Sequence, residues 1–444
     1  MEAGVPQALT RRWVWRQSWP IALANALGPV VGFVDTVVIG RFVGTLSLAG
    51  IGLGAAIYGI VYWGFGFLRM STAGLAAQSD GAGDEAGVQA HILRAVPLGL
   101  AIGLAVFALQ ALLLPLILGI YTADAAIEES ALTYIRARLW GLPATLGTIA
   151  LMGWFVGLGQ ADSAFRLQLA LNAVNAGLSV AFVVGLGWGL WGVGIASAIA
   201  EWCGLAVGLW LAVRLVARRG GRRAVPLAVL LDRAQLRSLT GTNANIFIRT
   251  AALVVGFNYF ANAAAKEGAV FLAGNHILLQ FVTIIALVLD AYAHTAEAAV
   301  GAAFGARDRA RFDRAVRLTA GFSAVSAVVL GAAVLLLGPL LIDLMTTAPD
   351  ARASAKAYLP FCAAVPVLGF AAYHLDGIFI GATQTRAMRD AGLLALGVYL
   401  AADYLMSFLG AAGIWLAFLT YYVARAVTLG AYYPGLRKRL NEIA

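Results

Sequence analysis

Gly153-Trp154-Phe155-Val156-Gly157-Leu158-Gly159-Gln160 recurs 224 residues later as Gly377-Ile378-Phe379-Ile380-Gly381-Ala382-Thr383-Gln384. The same shift superposes Ser130, Ala131 and Tyr134 on Ser354, Ala355 and Tyr358. It also lays Gly81-Ala82-Gly83-Asp84 on Gly305-Ala306-Arg307-Asp308. One such window is chance; three at a single offset, each at an equivalent run or break, mark an internal duplication. An Arg- and Gly-rich stretch from Ala217 to Leu236 lies at the midpoint. The chain therefore divides into residues 1–217, a linker 218–237 and residues 238–444.

Composition says what each copy is made of. Of 444 residues, 61% are hydrophobic and 12% charged, against roughly 45–50% and about 25% in ordinary soluble domains. That excludes a water-soluble globule. With 11 Trp, 21 Phe and 14 Tyr the chain is too apolar for disorder, so its surface belongs in lipid. Apolar runs repeatedly reach about 20 residues, the length that crosses hydrocarbon as a helix. The short alternating segments of a porin-type barrel are not seen. Twelve spans follow, near 17–41, 50–77, 92–119, 131–157, 165–186, 191–216, 239–263, 269–303, 315–344, 353–382, 388–410 and 413–436. The expected fold is an all-α polytopic membrane protein of two six-helix halves. Six is even, so both halves enter the membrane in the same sense, as parallel repeats.

The net charge of +9 invites a nucleic-acid reading until its placement is examined. With a cytoplasmic N-terminus, 22 of the 31 basic residues fall in inner segments, six in outer ones (Arg41, Arg136, Arg138, Lys266, Arg352, Lys356) and three, Arg69, Arg249 and Arg425, inside spans. That is the positive-inside bias. It places both termini in the cytoplasm and removes the case for nucleic acid. Cys203 and Cys362 lie far apart in apolar runs, which suits neither a disulfide framework nor a metal site. Arg11, Arg12 and Arg16 precede an apolar run without an Ala-x-Ala-like cleavage site, so that run reads as a first span.

Charged groups inside spans are costly and are functional candidates for that reason. The acids are Asp35, Glu201, Asp290, Glu297, Asp376 and Asp403. A packing role would recur in both copies, yet the shift pairs Asp35 with Tyr259, Asp290 with Gly66, Glu297 with Ala73 and Asp376 with Met152. Asp35 follows Pro20 and Pro29, each of which removes a backbone donor and loosens the first helix. Burial disfavours the charged form of a carboxyl. Asp35 is thus a candidate proton carrier whose charge biases a bend at the prolines; the bland alternative is an acid satisfied by polar neighbours. Asp290, His294 and Glu297 share one helix face at i, i+4 and i+7. Glu297 is expected near the water at the cytoplasmic end. This triple lacks a nearby Cys or second His, which argues against a metal site. It is read either as a transport site or as the counter-charge of Arg249. Asp376 is a further second-half candidate, and Glu201 and Arg425, at equivalent positions, read as packing or boundary charges. No phosphate loop and no nucleophile elbow occurs, so the expectation is a gradient-driven transporter, not an enzyme, with no cofactor.

The motifs resemble the multidrug and toxic compound extrusion (MATE) family, in particular its DinF-like branch, over essentially the whole chain. They are Pro20…Pro29-Val30-Val31-Gly32-Phe33-Val34-Asp35-Thr36-Val37-Val38-Ile39-Gly40-Arg41 and Gly66-Phe67-Leu68-Arg69-Met70…Gly74-Leu75-Ala76-Ala77-Gln78. Asn245-Ile246-Phe247-Ile248-Arg249-Thr250, Leu289-Asp290-Ala291-Tyr292-Ala293-His294-Thr295-Ala296-Glu297 and Asp376-Gly377-Ile378-Phe379-Ile380-Gly381-Ala382-Thr383 complete the set. The resemblance implies two six-helix lobes around a central cleft. It also implies export of cationic or amphipathic organic compounds in exchange for H⁺ or Na⁺.

Carried over residue by residue, the family's first-lobe ion site falls on Asp35 and Asn175. An Asn-x-x-x-Asp pattern is broken here by Ser179 at the acid position, and Ser197 stands where another polar ligand is expected. Sodium wants several oxygen ligands and a proton needs one carboxylate, which favours H⁺ with Na⁺ open. A second-lobe site would use Asp376 with Asp290, His294, Glu297 or Arg249, since the seventh span carries no acid. The rival is a lipid or lipid-linked-sugar flippase of the same wider superfamily, which would want a more basic cleft. The expected setting is a bacterial inner membrane, with the chain a monomer among lipid and small organic substrates.

Overall fold

A computed structural model describes residues 4–119, 124–220, 225–230 and 232–443. Arg222 and Arg223 of the linker lie outside the described residues. The helices are α1 (Arg11–Phe42), α2 (Thr45–Gly64), α3 (Phe67–Gly81), α4 (Glu85–Ala108), α5 (Gln110–Leu118), α6 (Ala125–Leu139), α7 (Leu142–Gly157), α8 (Ala161–Val180) and α9 (Gly189–Arg218). They continue as α10 (Leu227–Leu230), α11 (Arg233–Lys266), α12 (Ala269–Gly305), α13 (Arg309–Met345), α14 (Pro349–Gly381), α15 (Thr385–Met406), α16 (Ala411–Gly430) and α17 (Tyr433–Ile443).

Eleven helical stretches among the described residues have the length and hydropathy to cross a bilayer, and a bent pair, α6 with α7, supplies a twelfth. All twelve match the runs read from the sequence. The fourth span bends by 58° between Leu139 and Leu142. Pro143 opens its second arm, a position where the missing N–H costs no intrahelical bond. Elsewhere large apolar side chains face outward: Leu336 of α13 is 79% exposed. Such a surface is stable against hydrocarbon rather than water. α1 runs as continuous helix across Pro20 and Pro29.

The chain forms two compact units. One is built mainly of Leu23–Asp80 and Asp84–Leu236, the other of Val5–Ala22 and Arg237–Ala444. Within each, the 224-residue shift recurs as geometry. A Cβ on Gly153 or Gly157 of α7 would come within 3.0 Å of the backbone of Arg69 or Ala73 on α3. A Cβ on Gly377 or Gly381 of α14 would do the same at Ala293 or Glu297 of α12, each position 224 further on. These are small-xxx-small crossings, in which the missing side chain lets two helices pack backbone to backbone. The caps repeat as well. Asp84 accepts from the Gly87 N–H at 2.9 Å, and Asp308 from the Arg311 N–H at 2.9 Å. The turn positions Gly83 and Gly159 have positive φ, and their counterparts Arg307 and Thr383 keep it despite carrying Cβ atoms. The second copy tolerates that strain because the flanking helices fix the turn.

The crossing makes a testable distinction. Gly153→Leu should abolish a monodisperse peak in fluorescence size exclusion, because the facing atoms are backbone and cannot yield. Gly321→Ala on α13, where nothing lies within 4 Å of the added carbon, should keep the peak and gain about 0.5–1 kcal/mol of stability.

Candidate functional site

In the first unit three residues from two helices, Asn175 and Ser179 of α8 and Ser197 of α9, gather around Asp35 of α1. Its side chain is 1% exposed. Asn175 and Ser179 are one turn apart on α8 and so share a face. Ser179 is followed by a π-helical turn, Ala181–Gly185, a feature often found at functional sites. The Ser179 hydroxyl donates to Asp35 Oδ1 at 2.9 Å, and the Ser197 hydroxyl of α9 to Oδ2 at 3.4 Å. Asn175 Nδ2 donates to Ser197 Oγ at 2.9 Å. An amide nitrogen only donates, so it fixes Ser197 as acceptor on one side and leaves its proton for the carboxylate. The Asn175 carbonyl oxygen has no hydrogen-bond partner among the described residues. All four residues read from the sequence for the first-lobe site are thus in one place.

Sequence reasoning missed Arg138, which it counted among the outer cations. It sits on the last turn of α6, just before the bend. Its guanidinium lies 4.1 Å from the ring centre of buried Tyr58 and is bonded to the Tyr134 hydroxyl. It acts electrostatically on both Asp35 and Glu201. The available signal was Tyr134 at i−4 to Arg138, which gives the cation an aromatic and hydroxyl partner on its own helix.

The second unit handles its acid differently. Asp376 Oδ2 accepts from two guanidinium groups, Arg249 of α11 and, at 2.8 Å, Arg425 of α16. Arg425 also lies 5.5 Å and 5.7 Å from the ring centres of Tyr373 and Tyr422. Depth along the spans had suggested the acids of α12 as counter-charge for Arg249; the ion pair is formed with Asp376 of α14. Gly392 of α15 explains the route, for a Cβ there would stand 3.3 Å from Arg249 Cγ. Asp290 and His294 are half-buried on α12. Glu297, expected near water, is only 1% exposed, because α12 extends to Gly305 and packs at that level against Gly381. Arg425 is itself buried and ion-paired with Asp376, so it is no boundary charge.

A family model described as MatE matches this chain twice, over residues 20–183 and 246–405. The chain belongs to the MatE family. The two matched stretches fall one in each copy of the duplication. Among relatives, DNA damage-inducible protein F of Escherichia coli K12 is 30% identical over 418 residues, covering 94% of this chain and 91% of that protein. A probable multidrug resistance protein NorM of Pseudomonas syringae pv. tomato is 27% identical over 438 residues, 92% of each chain. The fold is that of a solved outward-facing multidrug resistance MATE family transporter of the MOP superfamily. That comparison has a TM-score of 0.85 and 18% identity, with 97% of both chains covered. This MatE protein is therefore a multi-pass membrane protein of a transporter family, not of an enzyme family, and its homologues include multidrug efflux transporters.

The two acids should part in stability measurements. Asp376→Asn leaves two buried guanidiniums without their counter-charge, a change that costs about 3–5 kcal/mol. It should lower the thermal midpoint in detergent sharply. Asp35→Asn, whose bonding partners are neutral hydroxyls, should leave that midpoint nearly unchanged.

Proposed function

We propose that this chain is a secondary antiporter that exports cationic or amphipathic organic compounds in exchange for H⁺, in a bacterial inner membrane with both termini cytoplasmic. The observation that carries the reading is the contrast between the partners of Asp35 and those of Asp376. Asp376 is bonded by two guanidiniums; Asp35 is bonded by hydroxyls. A hydroxyl donates to a carboxylate and accepts from a carboxylic acid, so the Asp35 site keeps its hydrogen bonds in either protonation state. That is what a proton carrier in a low-dielectric setting needs. Residues 1–217 and 238–444 act as two lobes. Proton entry at Asp35 neutralises it, releases a bound organic cation and changes α1 around Pro20 and Pro29. Proton loss on the other side of the membrane restores the charge. Arg138 tunes the energy of that charge from a distance without bonding it.

A sodium-coupled reading has one observation in its favour. The unpartnered Asn175 carbonyl, with Asp35, Ser179 and Ser197, offers neutral and anionic oxygens of the kind that Na⁺ takes. Dye efflux from inverted vesicles under imposed pH or sodium gradients separates the two. The expected result is efflux driven by the pH gradient and lost in Asp35→Asn. Efflux driven by neither gradient, or unchanged by that substitution, refutes antiport at this site.

The hydroxyls give a graded test. Ser179→Ala removes a hydrogen bond to a charged group, worth about 1.5–3 kcal/mol. Because that bond favours the ionised acid, its loss should shift the pH midpoint of efflux upward by roughly 1–2 units, at about 1.36 kcal/mol per unit. Ser197→Ala, whose bond is longer, should shift it less, and a pH series of initial efflux rates reads both.

A further inference from the structure

The first-lobe site has an image in the second unit. Adding 224 to Asp35, Asn175, Ser179 and Ser197 gives Tyr259, Tyr399, Asp403 and Tyr421. These four also converge. The Tyr259 hydroxyl of α11 donates to Asp403 Oδ2 of α15 at 2.7 Å, where the first unit has Ser179 donating to Asp35 at 2.9 Å. The Tyr259 and Tyr399 rings meet edge to face at 5.5 Å, and Tyr399 stacks on Tyr421 of α16 at 5.0 Å. The bond between the first and fifth helices of the repeat is therefore kept while the carboxyl changes sides. The first lobe has its acid on the first helix and a serine on the fifth; the second has a tyrosine on the first and its acid on the fifth.

We propose that Asp403, with the hydroxyl of Tyr259, is a second carboxyl site for a transported proton, the repeat-related image of the Asp35 site. The inference rests on the proton-coupled reading of Asp35. Asp376 does not fill this role, since two arginines bond it, whereas the bond recorded for Asp403 is to a neutral hydroxyl that serves as donor or acceptor according to the state of the acid. Tyr399 is 0% exposed and its hydroxyl has no hydrogen-bond partner among the described residues. It stands one helical turn before Asp403 on the same helix. The charged group next along α16 is Arg425, 6.0 Å from the Tyr421 ring centre. A stacked pair of rings with one free hydroxyl suits a proton better than an organic cation, which would need the stack to open.

The test uses the full chain in proteoliposomes. The substrate gradient that just balances an imposed pH gradient gives the proton-to-substrate ratio. That ratio should fall by one in Asp403→Asn, with transport retained. In parallel, infrared difference spectra across a pH step should contain a carboxylic-acid band removed by Asp403→Asn and a separate one removed by Asp35→Asn. Tyr259→Phe keeps the ring and serves if Asp403→Asn does not fold. With the hydroxyl gone, the Asp403 band should appear at higher pH than in the parent protein. An unchanged ratio in Asp403→Asn, or a band unmoved in Tyr259→Phe, overturns the proposal while leaving Asp35 in its role. Absence of proton-driven transport in the parent protein overturns the reading of Asp35 itself.

Discussion

A carboxyl group buried at 1% exposure and bonded by neutral hydroxyls is the constraint on which the functional account depends. Removing an ionised carboxylate from water costs far more than a hydroxyl bond returns. A protein meets that cost in one of two ways: it pairs the group with a cation, or it lets the group take a proton. The two halves of this chain surround their acids with different partners. Asp376 is ion-paired with Arg249 and Arg425, and so joins α11, α14 and α16. Asp35 is left with partners that accommodate either charge state, and with Arg138 near enough to be felt.

The scaffold makes this contrast possible by being duplicated without being identical. Backbone-to-backbone crossings at Gly153 and Gly157, and again at Gly377 and Gly381, set equivalent helices at equivalent separations. Once those separations are fixed, a side chain at a given position meets the same neighbours in either copy. Substitution then changes the chemistry while the geometry stays. Asp35 and Ser179 in one copy become Tyr259 and Asp403 in the other, yet a hydrogen bond under 3 Å joins both pairs.

Much of the fold was legible because lipid imposes length and apolarity on every span, and the three windows at one offset exposed the repeat. That Asp35, Asn175, Ser179 and Ser197 lie together was legible through the residues carried over from the family resemblance. What the sequence hid depends on contacts between distant segments. Arg138 lies beside a bend, so its depth cannot be read from hydropathy. Arg249 had several acids at a compatible depth, and its close approach to Gly392 on the way to Asp376 is a contact between distant segments. Glu297 looked close to water because the end of a run is a poor guide to where a helix ends, and α12 continues for two turns beyond it. Asp403 was visible as an intramembrane acid, but its partner Tyr259 is 144 residues away.

The central claim is that Asp35 changes protonation state when substrate binds. Mixing the purified protein with a cationic dye in weakly buffered detergent solution, with a pH indicator to count protons, addresses it directly. The account predicts that the parent protein releases one more proton per molecule than Asp35→Asn. Equal release from the two proteins, with dye bound by both, would contradict it.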